Sequence, residues 1–278
     1  MSKIDLVSPV VKWVGGKRQL LERLMPLFPE TYTSYCEPFI GGGAVLFALQ
    51  PENVIINDIN SELIGVYQAI KDNVDALIKR LEQFENTKEC FYDVRGWDRN
   101  AVVYNELTDI DKAARIIFLN KTCYNGLYRV NSAGEFNTPF GRYKKPNIVN
   151  ESTLRAVNKY FNTANVTILN TSYSEAVQGL PENSFVYLDP PYDPISVTAS
   201  FTGYNAGGFS REDQIALRDC CQNLDAAGIK FMLSNSATEF IQDIYSDFNI
   251  TIVPAKRAIN SVGSKRGCVD EVIVRNYE

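Results

Sequence analysis

The chain has 278 residues, of which 45% are hydrophobic, 22% charged and 12% aromatic, so it can bury a sizeable core and belongs to neither the disordered nor the fibrous classes. It carries no histidine, which removes histidine triads, imidazole proton relays and almost every catalytic zinc site, and no metal is expected. The net charge of −5 does not announce a nucleic-acid partner, but it is unevenly spread: residues 121–146 and 256–266 together carry +8 and leave −13 elsewhere.

Six cysteines are scattered without CxxC spacing, and the start MSKIDLVSPV lacks an apolar signal stretch, so a reduced, cytoplasmic setting is expected. No apolar run approaches the roughly 18 residues that a membrane span needs.

In chain order, the first notable segment is Lys12-Trp13-Val14-Gly15-Gly16-Lys17. It suits a strap folded over a ligand near phosphates, although composition alone favours a core Trp beside exposed lysines. Tyr35 to Pro38 then predicts a strand, which runs into Glu37-Pro38-Phe39-Ile40-Gly41-Gly42-Gly43 and a helix opened by AVLFAL. Glycines at a strand-to-helix turn let a ligand approach the main chain without a Cβ clash, although alone they also fit an ordinary tight turn. Val54 to Asn57 predicts the next strand, and Asp58 at its end stands about where a ribose-binding carboxylate belongs.

A helical pattern covers Glu62 to Gln83, after which the strand–helix alternation stops. From about Glu89 to Asn162 the pattern predicts an inserted, mainly helical unit with a hairpin-like loop. This stretch holds Tyr124-Asn125-Gly126-Leu127-Tyr128-Arg129-Val130-Asn131 and GEFNTPFGRYKKP. Aromatics interleaved with Asn, Arg and Lys suit groove reading or a wedge between bases, and also suit a loop packed on its own helix.

Strands resume at Val166 to Leu169, Phe185 to Asp189, Ile229 to Ser234, Ile250 to Val253 and Val272 to Val274, with a helix over Arg211 to Ala227. The alternation predicts an α/β fold around a buried sheet. Asp189-Pro190-Pro191-Tyr192 follows the apolar strand directly. Two prolines stiffen the loop and hold an acid and an aromatic at the carboxyl edge of the sheet, where ligands bind. An exocyclic aromatic amine is a weak nucleophile, so acceptors aimed at its N–H groups would help it attack a methyl group. Asp189 and the Pro190 carbonyl supply such acceptors, and Tyr192 supplies a surface on which an extruded base stacks. A plain proline turn would explain the prolines and leave the Asp and Tyr without a purpose. Adjacent Cys220 and Cys221 fall in a helical pattern and read as structural.

Taken in order, KWVGGKRQLL, EPFIGGGAVLF, INDIN, NGLYRVN, GEFNTPFGRYKKP, LDPPYDPISVTASFTGY and LSNS resemble the Dam-type DNA adenine methylases, including GATC-methylating restriction–modification enzymes, across essentially the whole chain. The motif order is similar to the α group of N6-adenine methyltransferases. The resemblance implies a Rossmann-like S-adenosylmethionine-dependent methyltransferase sheet formed by residues 1–62 and 163–278, with residues 63–162 inserted as a target-recognition domain. It implies S-adenosyl-L-methionine held by Trp13, Lys17, Phe39, Gly41, Gly43, Asp58 and Asp189, with the catalytic motif at Asp189, Pro190, Pro191 and Tyr192 acting on an adenine flipped from the duplex. No covalent enzyme intermediate is needed, and the chain has no Pro-Cys nucleophile motif. Many relatives carry an acid after the third strand for the cofactor's adenine. Here Thr171-Ser172-Tyr173 stands instead, so Ser172 and Tyr173 take that place, and a serine hydrogen-bonds more weakly than a carboxylate.

For DNA the resemblance implies Tyr124 inserted at the target step, Asn125 at the flipped or orphaned base, and Leu127, Arg129 and Pro139 at the second half-site. Lys12 and Tyr143 would meet the first guanine, and Arg95, Asn131, Asn137 and Arg142 would meet phosphates. The implied partner is double-stranded DNA, bound by a solution monomer that has room for a cognate restriction endonuclease in its biology. N4-cytosine or RNA methylation, or a silent DNA-binding regulator on the same fold, stay open at this point.

Overall fold

The computed structural model describes residues 3–194, 208–256 and 268–278, leaving aside the side chains at 255, 256, 268 and 269. Residues 195–204, part of the DPPY-containing motif, lie outside the described residues, as does the second basic cluster apart from the backbone of Lys256.

Seven strands form one sheet among the described residues: β1 Tyr35–Glu37, β2 Asn53–Asn57, β3 Asn165–Leu169, β4 Phe185–Leu188, β5 Lys230–Ser236, β6 Asn249–Lys256 and β7 Cys268–Arg275. Their order is β3-β2-β1-β4-β5-β7-β6. The first five are parallel, and β7 runs antiparallel between β5 and β6. This is the expected α/β fold. Strands covered on both faces must be apolar throughout, and Phe185, Val186, Tyr187 and Leu188 are all buried. They alternate between two apolar clusters, Phe185 and Tyr187 in one and Val186 and Leu188 in the other.

The helices are α1 Leu21–Leu24, α2 Ala44–Leu49, α3 Ser61–Leu81, α4 Lys88–Gly96, α5 Ala101–Glu106, α6 Asp109–Thr122, α7 Glu151–Thr163, α8 Tyr173–Ala176, α9 Arg211–Ala226 and α10 Glu239–Ile244. Side-chain caps set several starts: Asn60 accepts from Leu63 N, and Thr108, Ser172 and Ser210 form capping boxes with Asp111, Glu175 and Asp213. The helix expected over residues 62–83 is α3, interrupted at Asn73, whose φ of −151° and ψ of 61° are not helical.

Helices α4 to α6 fill the predicted gap, and bridges Cys123↔Phe140 and Val130↔Phe136 close the hairpin-like loop. Their core is not separate. One apolar cluster runs from Tyr35 and Ile56 in the sheet through Leu63 and Ile70 on α3 to Phe118 on α6 and Val157 on α7. The expected division between 62 and 63 falls inside α3.

Candidate active site

Strand order reverses between β1 and β4, so loops leaving their carboxyl ends diverge and open a crevice, the place where parallel sheets bind ligands. Both motifs singled out from the sequence leave the sheet there. After β1, Gly41 (φ +47°) and Gly43 (φ +71°) take left-handed conformations that make room for close packing. A Cβ on Gly43 would stand 2.9 Å from the Phe47 ring, and one on Gly41 would stand 3.1 Å from Trp13. Asp58 Oδ2 accepts the Gly41 N–H at 3.1 Å, its Oδ1 accepts the Asn60 N–H at 2.9 Å, and the Tyr67 hydroxyl donates to the Gly41 carbonyl at 2.7 Å. The acid expected opposite the glycine turn therefore braces it. Burial pushes the Asp58 carboxyl up, against the pull of these backbone N–H groups.

Phe39 leaves the turn on the other side and stacks on Tyr173, with ring centroids 5.3 Å apart, while Phe209 meets it edge-on at 6.2 Å. Tyr173 thus stands beside Phe39. Ser172 does not present a free hydroxyl, because its Oγ accepts the Glu175 N–H at 3.3 Å and donates to the Glu175 carboxylate at 2.8 Å as the cap of α8.

The floor of the crevice is Asp189, one residue beyond β4. Lys17, only 4% exposed, places its ammonium 2.7 Å from Asp189 Oδ1, 2.7 Å from the Gly15 carbonyl and 4.6 Å from the centroid of the Tyr192 ring. Burial pushes the Asp189 carboxyl up to about 6; the Lys17 ammonium pulls it down and Glu271 adds to the rise. Glu37, also lining the crevice, is pushed up to about 8 by burial, although it accepts the Tyr35 hydroxyl at 2.6 Å. The Tyr192 hydroxyl donates to Glu271 at 2.7 Å. Gln214 donates to the Pro191 carbonyl at 2.8 Å, and Asn235, itself tied to Gln214 at 3.0 Å, accepts the Asp193 N–H at 3.0 Å. The crevice is thus a glycine-walled slot with a half-buried carboxylate and an aromatic ring on a stiffened loop.

The D12 class N6 adenine-specific DNA methyltransferase family matches residues 13–259, a span that holds the glycine turn, Asp58, the helical insertion and the Asp189–Tyr192 loop. The chain belongs to this family. It is 45% identical over 278 residues to "Type II methyltransferase M1.LlaDCHI" of Lactococcus lactis subsp. cremoris, covering 99% of this chain and 97% of that protein. It is 42% identical to "Type II methyltransferase M.MjaIII" of Methanocaldococcus jannaschii, covering 98% and 99% respectively. It is 33% identical to the "DNA adenine methylase" of Escherichia coli (strain K12), covering 95% and 93%. The Asp-Pro-Pro-Tyr loop of this adenine-specific DNA methyltransferase leaves the carboxyl end of β4 with Asp189 lining the crevice.

The segments expected to meet DNA gather on one part of the adenine-specific methyltransferase. Asn120 on α6, almost fully buried, accepts the Lys12 N–H at 2.8 Å and donates to the Lys12 carbonyl at 2.8 Å and the Gly126 carbonyl at 3.1 Å. It thereby fastens Lys12 to the turn carrying Tyr124 and Asn125. Tyr124 is 58% exposed, and Asn125 is left-handed at φ +59°. A Cβ on Gly126 would sit 2.7 Å from the Lys12 side chain, so this turn requires glycine there. Leu127 is half-buried, whereas Pro139, Arg142 and Tyr143 are exposed.

Other predicted contacts carry internal bonds. Arg129 Nε donates to Asn137 Oδ1 at 2.7 Å, which joins the two side chains in one exposed unit. Asn131 Oδ1 accepts the Ala133 and Glu135 N–H groups at 3.0 Å each and its Nδ2 donates to Glu135 Oε2 at 2.7 Å, so its side chain builds the hairpin turn. Arg95 donates to the Phe136 carbonyl at 3.2 Å.

Sequence reasoning passed over Asn120, Gln214, Asn235 and Glu271. Asn235 lies within LSNS, which marked a motif but no role. The other three carry no local signal, since their partners are distant in the chain. Trp13 stacks on Tyr128 at 4.6 Å and so links the segment over the glycine turn to the hairpin closed by the Val130↔Phe136 bridge. Among the described residues no group of three or more His, Cys, Asp or Glu side chains is arranged to hold a metal, and no helix is long and apolar enough to cross a membrane.

Proposed function

We propose that this enzyme methylates N6 of adenine in double-stranded GATC, with S-adenosylmethionine as donor and the target base flipped out of the duplex. The observation that carries this reading is the placement of Asp189, paired with Lys17 at 2.7 Å, beside the Tyr192 ring at the strand-order reversal. The crevice suits the cofactor. Its wall is the glycine turn braced by Asp58, its lining acids are Glu37 and Asp189, and the Phe39–Tyr173 stack beside the turn offers a flat surface. That donor set matches a sulfonium cation, an ammonium, ribose hydroxyls and a purine. Asp58 would hold the ribose, Trp13 and the Gly41–Gly43 turn would enclose the chain, and the Phe39–Tyr173 stack would meet the base on one face.

When bound, the cofactor supplies an electrophilic methyl group. The protein's own part is positional and electrostatic. Asp189 and the Pro190 carbonyl accept the amine N–H groups and draw electron density onto N6, Lys17 holds Asp189 ionised, and Tyr192 stacks on the base. Residues 1–62 and 163–278 carry this chemistry, and residues 63–162 carry recognition. There Tyr124 and Asn125 occupy the vacated step, and Leu127, Arg129, Pro139 and Tyr143 read bases together with Lys12 from the N-terminal segment. Arg95, Asn131, Asn137 and Arg142 hold the backbone. The NGLYRVN and GEFNTPFGRYKKP segments support GATC, and the Type II names of two of the relatives above support a modification role opposite a restriction endonuclease.

The test is to incubate purified enzyme with methyl-labelled cofactor and duplexes carrying GATC or its single-base variants, then digest the product to nucleosides. Label in N6-methyladenine on GATC alone is expected. Label in N4-methylcytosine, transfer to RNA, or equal transfer to the variants would overturn the reading, and loss of transfer in Asp189→Ala with DNA binding retained assigns the amine acceptor.

A further inference from the structure

In the Asp189–Tyr192 motif the prolines are fixed by their rings and Asp189 is tied to Lys17, which leaves the two torsions of Tyr192 to be set. The backbone around it does not move easily. Gln214 on α9 holds the Pro191 carbonyl, Asn235 on β5 holds the Asp193 N–H, and the two amides bond each other at 3.0 Å. Gln214 and Asn235 are both completely buried, so these bonds are shielded from competing water. With the main chain pinned on both sides, only the two torsions of the Tyr192 side chain remain to decide where its ring lies.

An acceptor outside the motif holds the ring, while the hydroxyl also reaches Asp189 and pulls its carboxyl down. The Tyr192 hydroxyl donates to Glu271 Oε2 at 2.7 Å, across 79 residues of chain. Glu271 is delivered by topology: antiparallel β7 sits beside β5 with Glu271 in register with Ser236, at the carboxyl edge from which the Asp-Pro-Pro-Tyr loop emerges. Lys17 stands over the ring at 4.6 Å. The ring is therefore tethered at its far end by a charged acceptor and approached on a face by a cation. Burial, together with the charges of Asp189 and Glu271, pushes the phenol well above its ordinary range, so the hydroxyl stays a donor.

We infer that Glu271 is a positioning residue for the methylation reaction, its carboxylate fixing the Tyr192 ring through the hydroxyl in the plane where the target base stacks. This rests on the reading that Tyr192 receives the flipped base. Glu271 touches neither base nor cofactor; it acts through Tyr192. Glutamine keeps an acceptor oxygen at the same reach, whereas alanine removes it, and Tyr192→Phe removes the donor from the other side.

The experiment is a double-mutant cycle on the full chain, measuring kcat with saturating cofactor and DNA, together with the fluorescence of a bound duplex carrying 2-aminopurine at the target adenine. A hydrogen bond to a charged acceptor sets the expected scale, with Glu271→Ala and Tyr192→Phe each lowering kcat by about tenfold. The double variant should lose about tenfold as well, not about a hundredfold, because both changes break one interaction. Both single variants should brighten the 2-aminopurine, since stacking on a held ring quenches it, and Glu271→Gln, which keeps an acceptor without its charge, should lose less kcat than Glu271→Ala and stay nearer the wild-type fluorescence. Should Glu271→Ala fail to fold, the pair Tyr192→Phe and Glu271→Gln carries the test with the same expectations. Multiplicative losses in the double variant, wild-type behaviour of Tyr192→Phe, or a Glu271→Gln variant as impaired as Glu271→Ala would overturn the inference. Tyr192→Ala separates the two readings: if it leaves the fluorescence at the wild-type value, Tyr192 does not receive the base and the underlying reading fails. If it changes the signal while Glu271→Ala does not, only the role of Glu271 fails.

Discussion

Replacing Lys17 with Met tests the electrostatics at the heart of the crevice. The ammonium sits 2.7 Å from Asp189 in a largely buried site, and it opposes the burial that pushes the Asp189 carboxyl up to about 6. Removing it leaves burial and the Glu271 charge opposed only by the Tyr192 hydroxyl, so the carboxyl gains a proton at higher pH than before. A charge-assisted hydrogen bond contributes about 1.5–3 kcal/mol, which moves the acid limb of the pH–rate profile up by roughly one to two pH units. Starting from a limb near 6, such a move lowers kcat/KM at pH 7 by roughly two- to tenfold, and activity returns towards the wild-type plateau by about pH 9. The assay is single-turnover methyl transfer at saturating cofactor from pH 5 to 9.5, with cofactor affinity measured separately at each pH. A variant that loses activity equally at all pH values, or keeps the wild-type acid limb, would refute the claim that Lys17 holds Asp189 ionised.

Three further outcomes are expected. Asn120→Ala leaves the Lys12 N–H and two carbonyls without their partner and should cost about 1–3 kcal/mol in stability, read by thermal melting. It should also narrow the rate difference between GATC and near-cognate duplexes; an unchanged melt counts against the brace. Arg142→Ala should weaken all duplexes alike and reduce the salt slope by about one, whereas Arg129→Ala should lose roughly 1–3 kcal/mol of discrimination at one base, with the reversed pattern exchanging the two roles. Glu37, raised to about 8, holds a proton in the folded chain that the unfolded chain releases at lower pH, so its contribution to stability is present in acid and fades as pH rises through about 8. Glu37→Gln should melt higher than wild type at pH 9 and show a flatter dependence on pH, and identical pH curves for the two proteins would contradict this.

Much of the catalytic half was legible because its signals are local. Apolar four- and five-residue runs mark strands buried on both faces, glycines mark a turn without room for Cβ, and two prolines mark a rigid loop holding Asp189 and Tyr192. Asp58 was found by its distance along the chain from Gly41, and the two do meet, at 3.1 Å. Local sequence is ambiguous where a polar side chain can serve either a ligand or its own backbone. Ser172 and Asn131 are such residues: one caps α8 and the other builds a hairpin turn, uses that need only neighbours three or four positions away.

Tertiary structure alone decided the rest. The insertion of β7 between β5 and β6 brings Glu271 to Tyr192, and the packing of α6 against the N-terminal strap brings Asn120 to Lys12 across 108 residues. Trp13 reaches Tyr128 in the same way, with ring centroids 4.6 Å apart. A residue's own preferences specify its strand, turn or cap, because those depend on the conformational energies of a few adjacent residues. Which distant element it faces depends on strand order and helix packing, set by how the whole chain buries its apolar surface, and no short segment encodes that choice.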